Sequence, residues 1–186
     1  MMTASRKPSA VSHRKDGFTL VELMVVVAVL AALLSVGAPS FMEWIQNTRI
    51  RTVAESLQNG LQVARSEAVR RNMNVEFILQ NANGGWLVQL QEGAVFVQRS
   101  AGEGGANVTV TANPQNTTTV TFNGMGRVRP TNAGGTAPFT RLDFDLPATI
   151  MPANKTHDLR LTISVGGEIR MCDPGTTLPD DDPRRC

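Results

Sequence analysis

Histidine is almost missing from this chain. Only two of its 186 residues are His. His13 lies in a basic N-terminal stretch, and His157 stands next to Asp158 with no Ser or Cys motif around it. Such a sequence gives no support to a Ser–His or Cys–His nucleophile. A Gly-rich phosphate loop, GxSxG and HExxH are absent as well. The glycines fall in hairpin turns, where positive φ explains them. The reading is a non-enzyme, with no catalytic residue, cofactor or metal expected. Excess charge is also lacking. The formal +2 comes from 18 basic and 16 acidic side chains, of which Arg6, Lys7, Arg14, Lys15 and Asp16 all precede Phe18. From Phe18 onward 14 basic side chains face 15 acidic ones, a net of −1. Nucleic-acid binding would then need a local basic patch.

What the chain does have is a long apolar run. From Phe18 to Gly37 the only polar side chains are Thr19, Glu22 and Ser35. Twenty helical residues rise roughly 30 Å, about the hydrocarbon thickness of a bilayer. A carboxylate within such a span costs roughly 2.5–3.5 kcal/mol and usually has a partner and a role. The basic flank fits a cytoplasmic N-terminus. A secretory signal peptide is the rival reading, with Ser35-Val36-Gly37 or Gly37-Ala38-Pro39 as weak cleavage sites. The amphipathic pattern that follows argues against it. Pro39 should kink or locally melt the helix. Beyond it Ile50, Val53, Leu57, Leu61, Ala64 and Ala68 form one stripe. Glu67 and Arg71 form an i,i+4 pair. Gly60 reads as a weak point, about 1 kcal/mol worse than Ala. The helix should end near Arg71-Asn72.

From Val75 the period becomes two. VEFILQ (75–80) and WLVQLQ (86–91) flank a turn, and AVFVQR (94–99) follows. Ala101 to Ala106 reads as a Gly-rich loop. VTVTA (108–112), TTTVTF (117–122), RLDFDL (141–146), LRLTISV (159–165) and EIRMC (168–172) complete seven or eight strands. Asn123-Gly124-Met125-Gly126 reads as a turn and Asn132 to Pro138 as a flexible loop. Trp44 and Trp86 read as packing or interfacial anchors. One long helix followed by strands predicts an α+β fold with antiparallel sheets. Two cysteines, Cys172 and Cys186, beyond a membrane span imply one disulfide, closing a loop of about 15 residues. Free thiols in a reducing compartment are the alternative.

The junction Gly17-Phe18-Thr19-Leu20-Val21-Glu22 after a basic leader resembles the type IV pilin and pseudopilin family. The resemblance implies prepilin peptidase cleavage between Gly17 and Phe18, N-methylation of Phe18, and pairing of Glu22 with the terminal amine of a neighbouring subunit during assembly. It implies a pilin-like division of the chain: leader 1–17, transmembrane helix half 18–38, amphipathic half 39–72, globular β domain 73–171 and disulfide-closed tail 172–186. The break at 38–41, LQVARSEAVRRN (61–72) and GGEIRMCDP…DDDPRRC narrow the resemblance to the GspH/FimT/FimU group. The implied function is a minor pilin that helps prime and assemble a type IV pilus, with a role in DNA uptake as a further expectation. The alternative is a type II secretion pseudopilin H of the periplasmic pseudopilus tip. A membrane-anchored hydrolase is a remote third. The implied partners are other major and minor pilins, the prepilin peptidase and the inner-membrane assembly platform. The implied location is a single-pass inner-membrane protein with a periplasmic C-terminal domain.

FimT-like DNA binders carry Gly-Arg-x-Arg near the C-terminal strand. Here that position reads Gly167-Glu168-Ile169-Arg170, with a repulsive charge where an Arg would stand. A literal match, Gly126-Arg127-Val128-Arg129, lies elsewhere. In an extended stretch Arg127 and Arg129 point the same way. With Arg170, Arg184 and Arg185 they are the candidate DNA contacts, opposed by Asp180, Asp181 and Asp182. Solvated surface arginines are the plainer reading. Asp173 and Asp180 to Asp182 offer hard oxygen ligands for calcium, but without EF-hand spacing a solvated acidic turn is preferred.

Overall fold

The computed structural model describes residues 17–91, 93–99, 105, 107–175, 178–179 and 181–186. The leader up to Asp16, the Ala101–Gly104 part of the Gly-rich loop, Ala106 and Asp180 lie outside the described residues. Contacts divide the chain into two compact units, Met1–Pro39 and Ser40–Cys186.

In the first unit, helix α1 (Leu20–Arg71) begins. Thr19 caps it, accepting the Glu22 N–H at 3.2 Å, which is the donor-satisfying half of a Thr-x-x-Glu capping box. Its apolar side chains, among them Leu20, Leu23, Val27, Leu30 and Leu34, are exposed. No single helix among the described residues is long and apolar enough to cross a membrane. The runs Leu20–Ser35 and Ser40–Arg71 pass that test together, as a broken pair. The break covers residues 36–39, a stretch that includes Pro39.

In the second unit, α1 from Ser40 to Arg71 lies against two four-stranded antiparallel sheets. One has the order β3 (Val95–Arg99), β2 (Trp86–Leu90), β1 (Val75–Leu79), β5 (Thr119–Phe122). The other has β4 (Thr109–Asn113), β6 (Arg141–Asp145), β7 (Leu159–Ile163), β8 (Ile169–Cys172). The fold is α+β. Every member of the helix stripe from Ile50 to Ala68 is buried, joined by Ala54, and meets Phe77, Val88, Val110, Leu142 and Phe144 in one core. Each such apolar side chain contributes roughly 1.5–3 kcal/mol by leaving water. Phe77 stacks on Trp86 at 5.7 Å and meets Phe139 edge-on at 6.1 Å. The Trp86 indole N–H donates to Ser56 Oγ at 3.1 Å. Arg71 covers the Phe96 ring at 4.1 Å.

Two expectations from sequence are corrected here. Gly60 is not a weak point. A Cβ on it would come within 2.8 Å of Phe77 and 2.9 Å of Trp86, so its missing side chain is what lets the helix approach β1 and β2. The loop from Asn132 to Pro138 is not loose. Asn132 is buried, accepts from Thr121 Oγ1 at 2.9 Å and donates to the Thr119 carbonyl at 2.9 Å. It thereby holds the loop across β5. An amide with both ends engaged under a strand is invisible to a reading that equates Asn, Gly and Pro with mobility.

The loop before β7 is tied to the helix. Asn47 accepts from the His157 N–H at 2.9 Å and donates to the Lys155 carbonyl at 3.1 Å, and Lys155 pairs with Glu43. The lone histidine thus contributes its backbone to packing.

Candidate functional site

Three places carry the residues that the sequence singles out. The first is the junction at Gly17. Glu22 sits in the first turn of α1, and its carboxylate has no partner among the described residues. It is the one acid among exposed apolar neighbours, where a carboxylate is costly without a compensating cation.

The second is the arginine set, which the structure splits. Arg170 donates Nη2 to the Pro183 carbonyl at 3.0 Å and to the Arg185 carbonyl at 3.3 Å. Arg184 forms a two-pronged contact with Asp182, at 3.0 and 2.7 Å. Hydrogen bonds from the Arg184 guanidinium, helped by its backbone N–H, hold the Asp182 carboxyl down at about 2. Arg185 donates to the Leu178 carbonyl at 3.4 Å. These three guanidinium groups serve the tail.

Arg127 and Arg129 differ. Their side chains have no hydrogen-bond or ion-pair partner among the described residues, and they share one cleft of about 530 Å³. The backbone beneath them is held firmly. Asn123 Oδ1 accepts from the N–H groups of Met125 and Arg127, both at 3.0 Å. The Asn123 N–H donates to the Arg127 carbonyl, Val128 N–H to the Val165 carbonyl and Arg129 N–H to the Thr121 carbonyl, at 2.9, 3.1 and 2.9 Å. Residues 127–129 thus bridge the two sheets, with Val128 packed against the core and lining the same cleft as the two arginines. Gly126 and Gly167 make the junction tight. Both have positive φ, and a Cβ on Gly167 would lie 2.0 Å from the Gly126 carbonyl oxygen. Arg65 reaches up from the helix and donates to that same oxygen at 3.1 Å. Sequence reading found the Gly-Arg-Val-Arg stretch and missed Asn123 and Arg65, which position it. Asn at the head of a Gly-rich turn was the available signal for Asn123.

The third place is the tail. Cys172 and Cys186 form a disulfide, 14 positions apart. Asp173 and Arg185 form a parallel bridge that lays the tail beside β8. Asp173 Oδ1 accepts from the Gly175 N–H at 2.7 Å. Among the described residues no group of three or more His, Cys, Asp or Glu side chains could hold a metal ion. Asp158, just ahead of β7, has its carboxyl raised, first by burial and then by the charge of Asp145.

The model of a family described as type II transport protein GspH matches residues 53–167. The prokaryotic N-terminal methylation motif matches residues 12–38. Two solved structures are similar to the chain, both crystal forms of the type IV minor pilin FimU of Pseudomonas aeruginosa PAO1. One is 20% identical and covers 69% of this chain and 91% of that one, with a TM-score of 0.49. The other is 21% identical and covers 65% and 90%, with a TM-score of 0.44. No curated protein matches the chain significantly.

Proposed function

The chain belongs to the type II transport protein GspH family, and from that premise we propose that it is a structural filament subunit, a minor pilin that helps prime and assemble a type IV pilus. The carrying observation is the junction 17–22. A capped helix starts just after Gly17-Phe18 and presents one acid, Glu22, unpartnered among the described residues, within an exposed apolar surface. In this reading the peptidase removes residues 1–17, Phe18 becomes the methylated terminus, and its ammonium neutralises Glu22 of the adjoining subunit. Two charges that are each costly in lipid become tolerable as a pair, and the pairing sets the axial stagger. The helix from Leu20 anchors the protein in the inner membrane, with the β domain in the periplasm. The role is assembly, with pilins as partners and the inner-membrane platform as the site of insertion.

The second reading is a type II secretion pseudopilin H, favoured by the description of the matched family. The same Glu22 chemistry serves both. Complementation of a deletion strain separates them: restored surface pili favour the first, restored export of folded proteins the second. A direct part in DNA uptake has narrower support, because Arg170, Arg184 and Arg185 are engaged by the tail. Only Arg127 and Arg129 remain for phosphate, so such binding would be weak and strongly salt-dependent.

The test of the main reading is the processed terminus together with a Glu22→Ala variant. Mass spectrometry of the mature chain should show methylated Phe18 first, and Glu22→Ala should sharply reduce incorporation into filaments while the folded β domain keeps its melting temperature. A mature start elsewhere refutes the reading.

A further inference from the structure

We propose that the Arg127–Arg129 cleft is a docking site for a short extended acidic segment of a neighbouring filament subunit, one that carries carboxylates on alternate residues with an apolar side chain between them. Every other arginine with a described side chain has a partner within the molecule: Arg49 with Gln46, Arg51 with Glu55, Arg65 with the Gly126 carbonyl, Arg70 and Arg71 with Glu67, Arg141 and Arg160 with Asp143, and the three tail arginines as given above. Arg127 and Arg129 alone face outward without a partner, on a backbone fixed by five hydrogen bonds. A backbone already held in place spares an arriving anion the cost of ordering the chain segment that carries the two guanidinium groups.

The shape of the cleft selects the anion. Arg127 and Arg129 are alternate residues of an extended stretch, so they repeat at roughly 7 Å, the repeat of alternate side chains along another extended peptide. Around them the cleft is apolar, lined by Met125, Pro130, Pro138, Ile163 and Val165. Met125 and Val165 are about three-quarters exposed, at 75% and 72%. A carboxylate–apolar–carboxylate segment satisfies both the guanidinium groups and the apolar wall. A nucleic-acid strand does so less well. No aromatic side chain lines the cleft to stack a base. The neighbour's identity as a filament subunit rests on the function proposed above; the cleft's preference for an acidic peptide does not.

The experiment uses the full chain in zwitterionic detergent micelles. A fluorescein-labelled heptapeptide alternating Asp and Val is titrated by fluorescence anisotropy, beside its Asn–Val counterpart and labelled single- and double-stranded DNA 20-mers. Binding of the Asp peptide is expected, with no binding of the Asn peptide. Arg127→Gln and Arg129→Gln should each weaken it about tenfold or more, a loss of one charge-assisted hydrogen-bonded contact. Val165→Ser should weaken it severalfold, and Arg184→Gln should leave it unchanged. Circular dichroism melts of the arginine variants should match the parent, since neither side chain supports the fold. No binding of the Asp peptide, or binding that survives the Arg127→Gln/Arg129→Gln double variant, overturns the proposal. Tighter arginine-dependent binding of either DNA assigns the cleft to nucleic acid and overturns it as well. A mature start other than Phe18 would remove the filament reading and leave the peptide affinity as measured, so the two fail separately.

Discussion

Glu67 shows how much one side chain near a helix end can organise. It receives Arg70 at 2.6 Å and Arg71 at 2.8 Å. The hydrogen bond from Arg70, then that from Arg71, lowers its carboxyl from 4.5 to about 2. Both arginines lie in the last turn of α1, where positive charge also suits the helix dipole. The folded-state value lies below the unfolded one, so the contribution to stability is complete above about 4.5 and is lost as pH falls towards about 2. Acid titration of the melting temperature should therefore show a smaller decline between those values in Glu67→Gln than in the parent, and the two curves should converge at the acid end. The pairing with Arg71 was legible from i,i+4 spacing. The contact with Arg70 was less so, because an i,i+3 pair depends on rotamers that sequence does not set.

At the scale of an element, α1 from Ser40 to Arg71 illustrates what periodicity can and cannot say. The buried stripe from Ile50 to Ala68 was readable because core-facing positions must recur every three or four residues. The role of Gly60 was not. Its importance lies in the Phe77 and Trp86 rings across the interface, which belong to strands far along the chain. Helix propensity favours Gly60→Ala by about 1 kcal/mol. Inserting a methyl at 2.8–2.9 Å from two rings costs about 1–3 kcal/mol, because neighbours must shift. The close approach should win. Chemical denaturation of Gly60→Ala should give lower stability than the parent, and a gain of 1 kcal/mol would show that the rings yield freely. The loop around Asn132 makes the same point. Its residue types are those of a turn, and only the tertiary placement over β5 turns them into a latch.

For the molecule as a whole, the α+β class, the hairpins and the Cys172–Cys186 link follow patterns that are local in sequence. The division of labour among the arginines does not, since it depends on which carbonyls the returning tail brings alongside β8. That tail is held by the disulfide, the Asp173–Arg185 bridge and the Arg170 contacts. Closing a loop of this length is worth roughly 3 kcal/mol in the chain-entropy model. Cys186→Ser should lower the melting temperature, and reducing agent should do the same to the parent while leaving the variant unmoved. Losing the tail has an electrostatic side too. Its departure would strip the β8 residue Arg170 of the Pro183 and Arg185 carbonyl oxygens. A reduced molecule whose tail has lifted would thus present one newly bare guanidinium at the sheet margin. Oxidation keeps that guanidinium engaged, so the state of the Cys172–Cys186 link bears on the charge the sheet margin offers as well as on stability.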